Sequence, residues 1–169
     1  MKMNSIEICA GAGGQALGLE QAGFEHASLI EIEAPACQTL RINRPHWNVV
    51  EEDLRHYAAN EWKGIELLAG GVPCPPFSKA GKQHGNNDER DLFPEALRLV
   101  AECKPQAVML ENVRGLLDSV FDEYRAKIIS DLKEDLVKVK KYISEKSKKV
   151  KTTDDVENIA RTSSNNNFE

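Results

Sequence analysis

Ser5-Ile6-Glu7-Ile8-Cys9-Ala10-Gly11-Ala12-Gly13-Gly14 joins a short apolar run directly to a glycine-rich turn. Beyond it, Ala16, Leu17, Leu19 and Ala22 recur at helical spacing as far as Gly23. Strand, glycine turn and helix in that order open a nucleotide-binding doubly wound fold. Glycines let the backbone approach a ligand closely, and the helix N-terminus favours negative groups. Such a turn can equally serve backbone geometry alone, so the downstream residues must decide between the two.

Residues 27–32 predict a second strand that ends in Glu31-Ile32-Glu33. Glu31 then lies roughly 20 residues beyond the turn, where this fold places its ribose-binding acid. Glu33 fits the acid expected in the first turn of the next helix, over residues 34–43, which Pro45 closes. Val49 and Val50 begin a third strand leading to Asp53, either an acceptor for an adenine amino group or a solvated loop acid. Residues 65–69 predict the fourth strand, 92–103 a helix, and 107–110 the fifth strand, ending in Glu111-Asn112-Val113. Strands alternating with helices imply a parallel sheet with right-handed crossovers and a ligand at the carboxyl ends of the strands. Gly11, Glu31, Asp53, Cys74 and Glu111 all fall at that edge.

The fourth strand delivers Gly70-Gly71-Val72-Pro73-Cys74-Pro75-Pro76-Phe77-Ser78. The glycine pair is expected to end the strand. Proline fixes φ and removes a backbone donor, so the segment reads as a stiff loop. Burial is the commoner fate of a free cysteine, but a cysteine held between prolines after a glycine turn is presented rather than packed. Residues 79–91 are polar and carry Gly81, Gly85, Asn86 and Asn87, the composition of a mobile loop.

Length and composition bound the partners. A chain of 169 residues suits one globular domain. Its cysteines (Cys9, Cys37, Cys74, Cys103) show neither zinc-ligand nor disulfide-framework spacing, which points to a reducing cytoplasm. A net charge of −5 is not the basic footprint of a nucleic-acid binder, and counts against DNA binding by this chain alone.

Glu7-Ile8-Cys9-Ala10-Gly11-Ala12-Gly13-Gly14, the Pro73-Cys74 loop, Asp88-Glu89-Arg90-Asp91-Leu92-Phe93 and Glu111-Asn112-Val113 resemble, in order, the motifs of the cytosine-5 DNA methyltransferases. The resemblance covers residues 5–124. It implies a Rossmann-like parallel sheet of the S-adenosylmethionine-dependent methyltransferase type, incomplete at its C-terminal side. It implies that Cys74 attacks carbon 6 of a cytosine flipped out of double-stranded DNA, and that Glu111 contacts ring nitrogen 3 and the exocyclic amine. A raised pKa from burial would suit that acid. Asn112 would brace the Pro73-Cys74 loop, and residues 81–87 would close over the base. S-adenosylmethionine would be held by Cys9, Gly11, Ala12, Gly14, Glu31, Ile32, Asp53, Leu54, Pro73 and Leu92. Cys9 stands where the family usually has Phe, and Ile32 replaces a common aromatic near the adenine.

Past residue 127 the family pattern stops. The arginine motif, target-recognition domain and closing helix are not found in this sequence, and the resemblance therefore implies a second polypeptide that carries them. Ile129, Leu132, Leu136, Val139 and Ile143 recur at helical spacing, opposite a lysine-rich face. This helix reads as a crossover helix of the sheet, with a partner seam and phosphate contact as alternatives. The expected division is a partial catalytic domain over 1–127, a lysine-rich amphipathic helix over 128–151 and a disordered tail over 152–169. Two other readings stand beside the methyltransferase: an inactive remnant or accessory protein that retains the fold, and a nicotinamide-dependent oxidoreductase, which leaves Cys74 and Glu111 unexplained.

Overall fold

Strand β1 (Met3–Ile8) runs up the middle of the sheet and is buried on both faces from Ser5 to Ile8. The computed structural model describes residues 3–73 and 91–146, with side chains as far as residue 135. Around β1 lie β2 (Phe24–Glu31), β3 (Val49–Glu51), β4 (Leu67–Gly71) and β5 (Ala107–Glu111), in the order β3-β2-β1-β4-β5. All four pairings are parallel, as the alternation of strands and helices predicts.

A parallel sheet covered on both faces needs apolar residues pointing both ways. On one face Ile6, Ile8, Ile30 and Leu68 pack against Ala96, Leu99, Val100 and Cys103 of helix α3 (Phe93–Cys103). On the other, Leu29 packs with Ala16 of α1 (Gly14–Gln21) and with Leu40 of α2 (Ala34–Asn43), beside Trp47. Leu67 and Ala69 meet Leu19 of α1. This is the Rossmann-like architecture read from the sequence.

Several boundaries differ from expectation: β2 begins at Phe24 rather than residue 27, β4 at Leu67 rather than residue 65, and three others differ for a physical reason. Strand β1, which the apolar run predicts over residues 5–10, stops at Ile8 because Cys9 takes a left-handed backbone, φ 52°. The Gly70-Gly71 pair does not end β4 but belongs to it. A Cβ at Gly70 would come within 2.5 Å of the Ile8 carbonyl oxygen and 2.4 Å of Ile8 Cγ1, so close approach of β1 and β4 demands glycine there. Helix α4 (Asp122–Lys146) begins ahead of residue 128, inside what was expected to be the catalytic domain.

The face that α4 packs is also shifted by one residue. Ile128 joins the core, Tyr124 and Leu132 pack against it, and Ile129 is 49% exposed. Leu132 therefore belongs to the fold's own packing. The Tyr124 hydroxyl donates to Asp91 Oδ2 (2.7 Å), and Asp91 Oδ1 accepts from the Phe93 N–H (3.0 Å), which ties α4 to the start of α3.

Glu7 is a carboxylic acid inside the sheet. It is 1% exposed, lies in register with Leu29 on β2 and Ala69 on β4, and its Oε2 has no hydrogen-bond partner. Burial raises its pKa to about 7, opposed in part by hydrogen bonding from the Ala16 backbone. Nearby, His26 Nε2 donates to the Ala16 carbonyl and Nδ1 accepts from the Ser5 hydroxyl, both at 2.9 Å, as a neutral imidazole does. Burial lowers the His26 pKa.

The two groups bend stability in opposite directions. Between pH 4.5 and about 7 the folded chain holds a proton on Glu7 that the unfolded chain has released, so stability falls as pH rises through that window. Below pH 6.5 the unfolded chain protonates His26 more readily, so stability falls as pH drops. The Glu7→Gln chain should gain on the wild type by roughly 3 kcal/mol between about pH 4 and about pH 8. Urea unfolding at both pH values measures the change. An unchanged difference would show that Glu7 ionises normally in the fold.

Candidate cofactor and catalytic site

The carboxyl ends of β1, β2 and β3 meet around the glycine turn. Gly11 (φ 54°) and Gly13 (φ 88°) are both left-handed, a conformation that glycine adopts without strain. They serve different ends. Nothing lies within 4 Å of a Cβ built at Gly11, so that side is open to a ligand, whereas a Cβ at Gly13 would meet Leu40 Cδ2 at 2.5 Å. Ala12 and Gly14 are exposed. Helix α1 starts at this turn with no side-chain cap and no acid in its first turn, leaving its positive end uncompensated.

Glu31, 7% exposed, closes the site from β2. Its Oε2 accepts from the Gly11 N–H at 2.6 Å, and its Oε1 from the Ile32 and Glu33 N–H groups at 2.8 Å. These last two amides precede α2, whose N-cap residue Glu33 makes no side-chain cap bond. A carboxylate has about four acceptor positions, so these three bonds leave room for a ligand hydroxyl.

Asp53 follows β3. Its Oδ1 accepts from the Arg55 N–H and its Oδ2 from Arg55 Nη1, each at 3.0 Å. The Arg55 backbone bond, with the Arg55 charge, holds its carboxyl below the usual range, so it is ionised at neutral pH. Ile32 is 58% exposed at the rim. The Leu54 side chain lies in the core. Cys9 is half-buried beside the two acids. Burial, then Glu31 and Asp53, push its thiol up to about 12, so it is neither a thiolate nor a nucleophile at neutral pH.

The second half of the site lies at the ends of β4 and β5. Asn112 Nδ2 donates to the Val72 carbonyl at 2.8 Å, across from one strand end to the next, and its Oδ1 accepts from the Val113 N–H. This bond braces the segment leading to exposed Pro73. A Cβ at Gly71 would lie 3.4 Å from Glu111 Oε2, so the Glu111 carboxylate sits over the strand that leads towards Cys74. Glu111 is exposed, against the expectation of burial, because β5 is the edge strand of the described sheet. Leu92 is half-buried against the core. Cys74, residues 79–90 and the tail 152–169 lie outside the described residues. Among those described, no cluster of His, Cys, Asp and Glu could hold a metal, and no helix is long and apolar enough to cross a membrane.

Sequence reasoning missed Glu7, which reads as one polar position in an apolar strand, and Arg98 on α3. Arg98 donates to Glu95, Glu102 and the Leu54 and Tyr57 carbonyls. Its acidic partners stand at i−3 and i+4, visible as helix spacing. Its backbone acceptors carry no local signal.

A strand–glycine turn–helix unit with acids ending β2 and β3 defines a doubly wound domain of the nucleotide-binding kind. The profile of the C-5 cytosine-specific DNA methylases matches residues 3–162, and the chain belongs to that family. It is 70% identical over 125 residues to Type II methyltransferase M.NgoMIV of Neisseria gonorrhoeae, covering 74% of this chain and 40% of that protein. It is 52% identical over 130 residues to Type II methyltransferase M.NaeI of Lentzea aerocolonigenes, covering 75% of this chain and 32% of the relative. A solved putative DNA modification methyltransferase encoded within an E. coli prophage superposes with a TM-score of 0.64 at 29% identity, over 78% of this chain and 38% of that one. DNMT2 of Spodoptera frugiperda shares the fold, with a TM-score of 0.63 at 23% identity over 79% of this chain and 41% of its own. The chain thus spans 40% or less of the two curated relatives' length.

Proposed function

We propose that this chain is the catalytic, cofactor-binding portion of a DNA (cytosine-5-)-methyltransferase that acts together with a second polypeptide. The observation that carries the reading is the convergence of Gly11, Glu31, Asp53 and Glu111 on one sheet edge, where β4 leads into Pro73-Cys74. The residues suit S-adenosylmethionine: the turn is open at Gly11, the positive end of α1 suits a carboxylate, and the acids Glu31 and Asp53 suit hydroxyl and amino donors. Bound there, S-adenosylmethionine supplies an electrophilic methyl group.

The chain's own residues do the rest. Glu31 accepts from the ribose, and Asp53 from the adenine amino group. The Cys74 thiolate bonds to carbon 6 of the flipped cytosine, which makes carbon 5 nucleophilic. Glu111 contacts ring nitrogen 3 and the exocyclic amine as charge builds on the ring, and the base itself would supply the burial that Glu111 lacks. Asn112 keeps the Pro73-Cys74 loop in place. Loss of the carbon-5 proton and departure of the sulfur restore both the aromatic ring and Cys74.

A flipped base also needs a wall that reads it and positive charge along the phosphates. A net charge of −5 does not supply the second of these. The purified chain should give little sequence-specific methylation, and activity should appear when a polypeptide carrying the arginine motif, recognition domain and closing helix is added. Transfer of labelled methyl groups to DNA reads the result. Robust site-specific methylation by the chain alone would refute the division between chains. If no added polypeptide restores transfer, the chain is a remnant that keeps only the fold.

A further inference from the structure

We propose that Arg98 is a positioning residue for the cofactor, acting with Glu102 to hold the segment after β3 so that Asp53 faces the adenine. The inference rests on the cofactor reading of Asp53 given above. Residues 52–59 contain neither helix nor strand, so their position depends on bonds from outside. At the start, the Glu52 N–H donates to the Glu31 carbonyl at 3.0 Å. Beyond that point α3 takes over.

Arg98 Nη2 donates to the carbonyls of Leu54 (2.9 Å) and Tyr57 (3.0 Å). Its Nε and Nη1 donate to Glu95 Oε2 (2.7 Å) and Glu102 Oε1 (2.6 Å), which fix the guanidinium plane. Glu102 Oε2 in turn accepts from the Ala59 N–H at 2.9 Å. One ion pair on α3 therefore grips the segment at Leu54, Tyr57 and Ala59. Asp53 immediately precedes the first of these grips. Asp53 also accepts from Arg55 within the segment. Relative to the sheet, the segment is placed by the Glu31 and Arg98 bonds together with the buried Leu54 and Tyr57 side chains. Lysine offers a point charge without the fork and cannot span these acceptors together.

The test uses the full chain and two ligands: S-adenosylhomocysteine, and S-inosylhomocysteine, in which a carbonyl replaces the adenine amino group. The wild type should prefer the first by about tenfold, the scale of one polar partner left unpaired. Asp53→Ala should erase the preference, and Arg98→Met should erase it while Asp53 is still present. A preference that survives Asp53→Ala removes Asp53 from the adenine, and the cofactor reading fails with it. A preference lost in Asp53→Ala but kept in Arg98→Met overturns the role of Arg98 alone. Amide hydrogen exchange on the same chains needs no ligand. Exchange at residues 53–59 should quicken about tenfold in Arg98→Met, with β1 unchanged, as expected for a local opening. Unchanged exchange there, or equal acceleration in β1, would overturn the proposal. If Arg98→Met does not fold, Glu102→Ala, which frees the Ala59 N–H, takes its place in both measurements.

Discussion

Replacing Cys74 with Ser should abolish methyl transfer by the completed enzyme, together with covalent trapping on DNA that carries 5-fluorocytosine at the target. A hydroxyl is a far weaker nucleophile than a thiolate at neutral pH, and fluorine at carbon 5 blocks the step that would release the enzyme. The other three thiols are poor substitutes. Burial pushes Cys9 and Cys103 up to about 12, and raises Cys37 as well. Cys103 lies in the core under α3, so Cys103→Ala should still trap the DNA. Gel-shifted adduct resistant to denaturation is the readout. An adduct that persists in Cys74→Ser would remove Cys74 from the chemistry.

Gly70→Ala should unfold the domain more readily than any surface change. The added methyl group would sit 2.5 Å from the Ile8 carbonyl oxygen, and backbone has nowhere to turn. Strands β1 and β4 would have to separate at the centre of the sheet. Overpacking of this kind costs about 3 kcal/mol or more, a large part of the ~5–15 kcal/mol that holds a typical domain together. Gly18→Ala is the matched control, since nothing lies within 4 Å of its Cβ and it stands inside α1. It should stabilise by roughly 0.5–1 kcal/mol, the gain from replacing glycine in a helix. Denaturant midpoints for the two variants should therefore move in opposite directions. A Gly70→Ala chain as stable as the wild type would mean that the two strands do not approach so closely.

The same glycine shows where sequence reading reached its limit. Two glycines after an apolar run look like a strand end, because local propensity treats glycine as a breaker. What fixes Gly70 in β4 is Ile8, far away in the chain, and no local pattern reveals that contact. Helix α4 failed in a similar way. An apolar pattern at spacings of three and four fits more than one face, and packing chose Tyr124, Ile128 and Leu132 while leaving Ile129 outside. The strand-end acids were legible because short apolar runs alternate with longer helix-spaced segments, and a parallel sheet sends every strand's carboxyl end to one edge. Glu31 could be placed on that principle alone. That it also ties the glycine turn to the end of β2 could not, because the Gly11 N–H lies in the turn after β1, 20 residues away in the chain. Leu54 stands among the cofactor residues by resemblance alone, and its side chain packs in the core.

The bond from Gly11 to Glu31 has a kinetic meaning. A loop that must order itself around an incoming ligand loses conformational entropy on binding and associates more slowly. Here one carboxylate, tied to three amides, holds the glycine turn against the ends of two strands by bonds of the chain's own. The receptor proposed for the cofactor is thereby preorganised. On this half of the site the encounter resembles a rigid key entering a finished lock, and variation in affinity among ligands should appear chiefly in how slowly they leave.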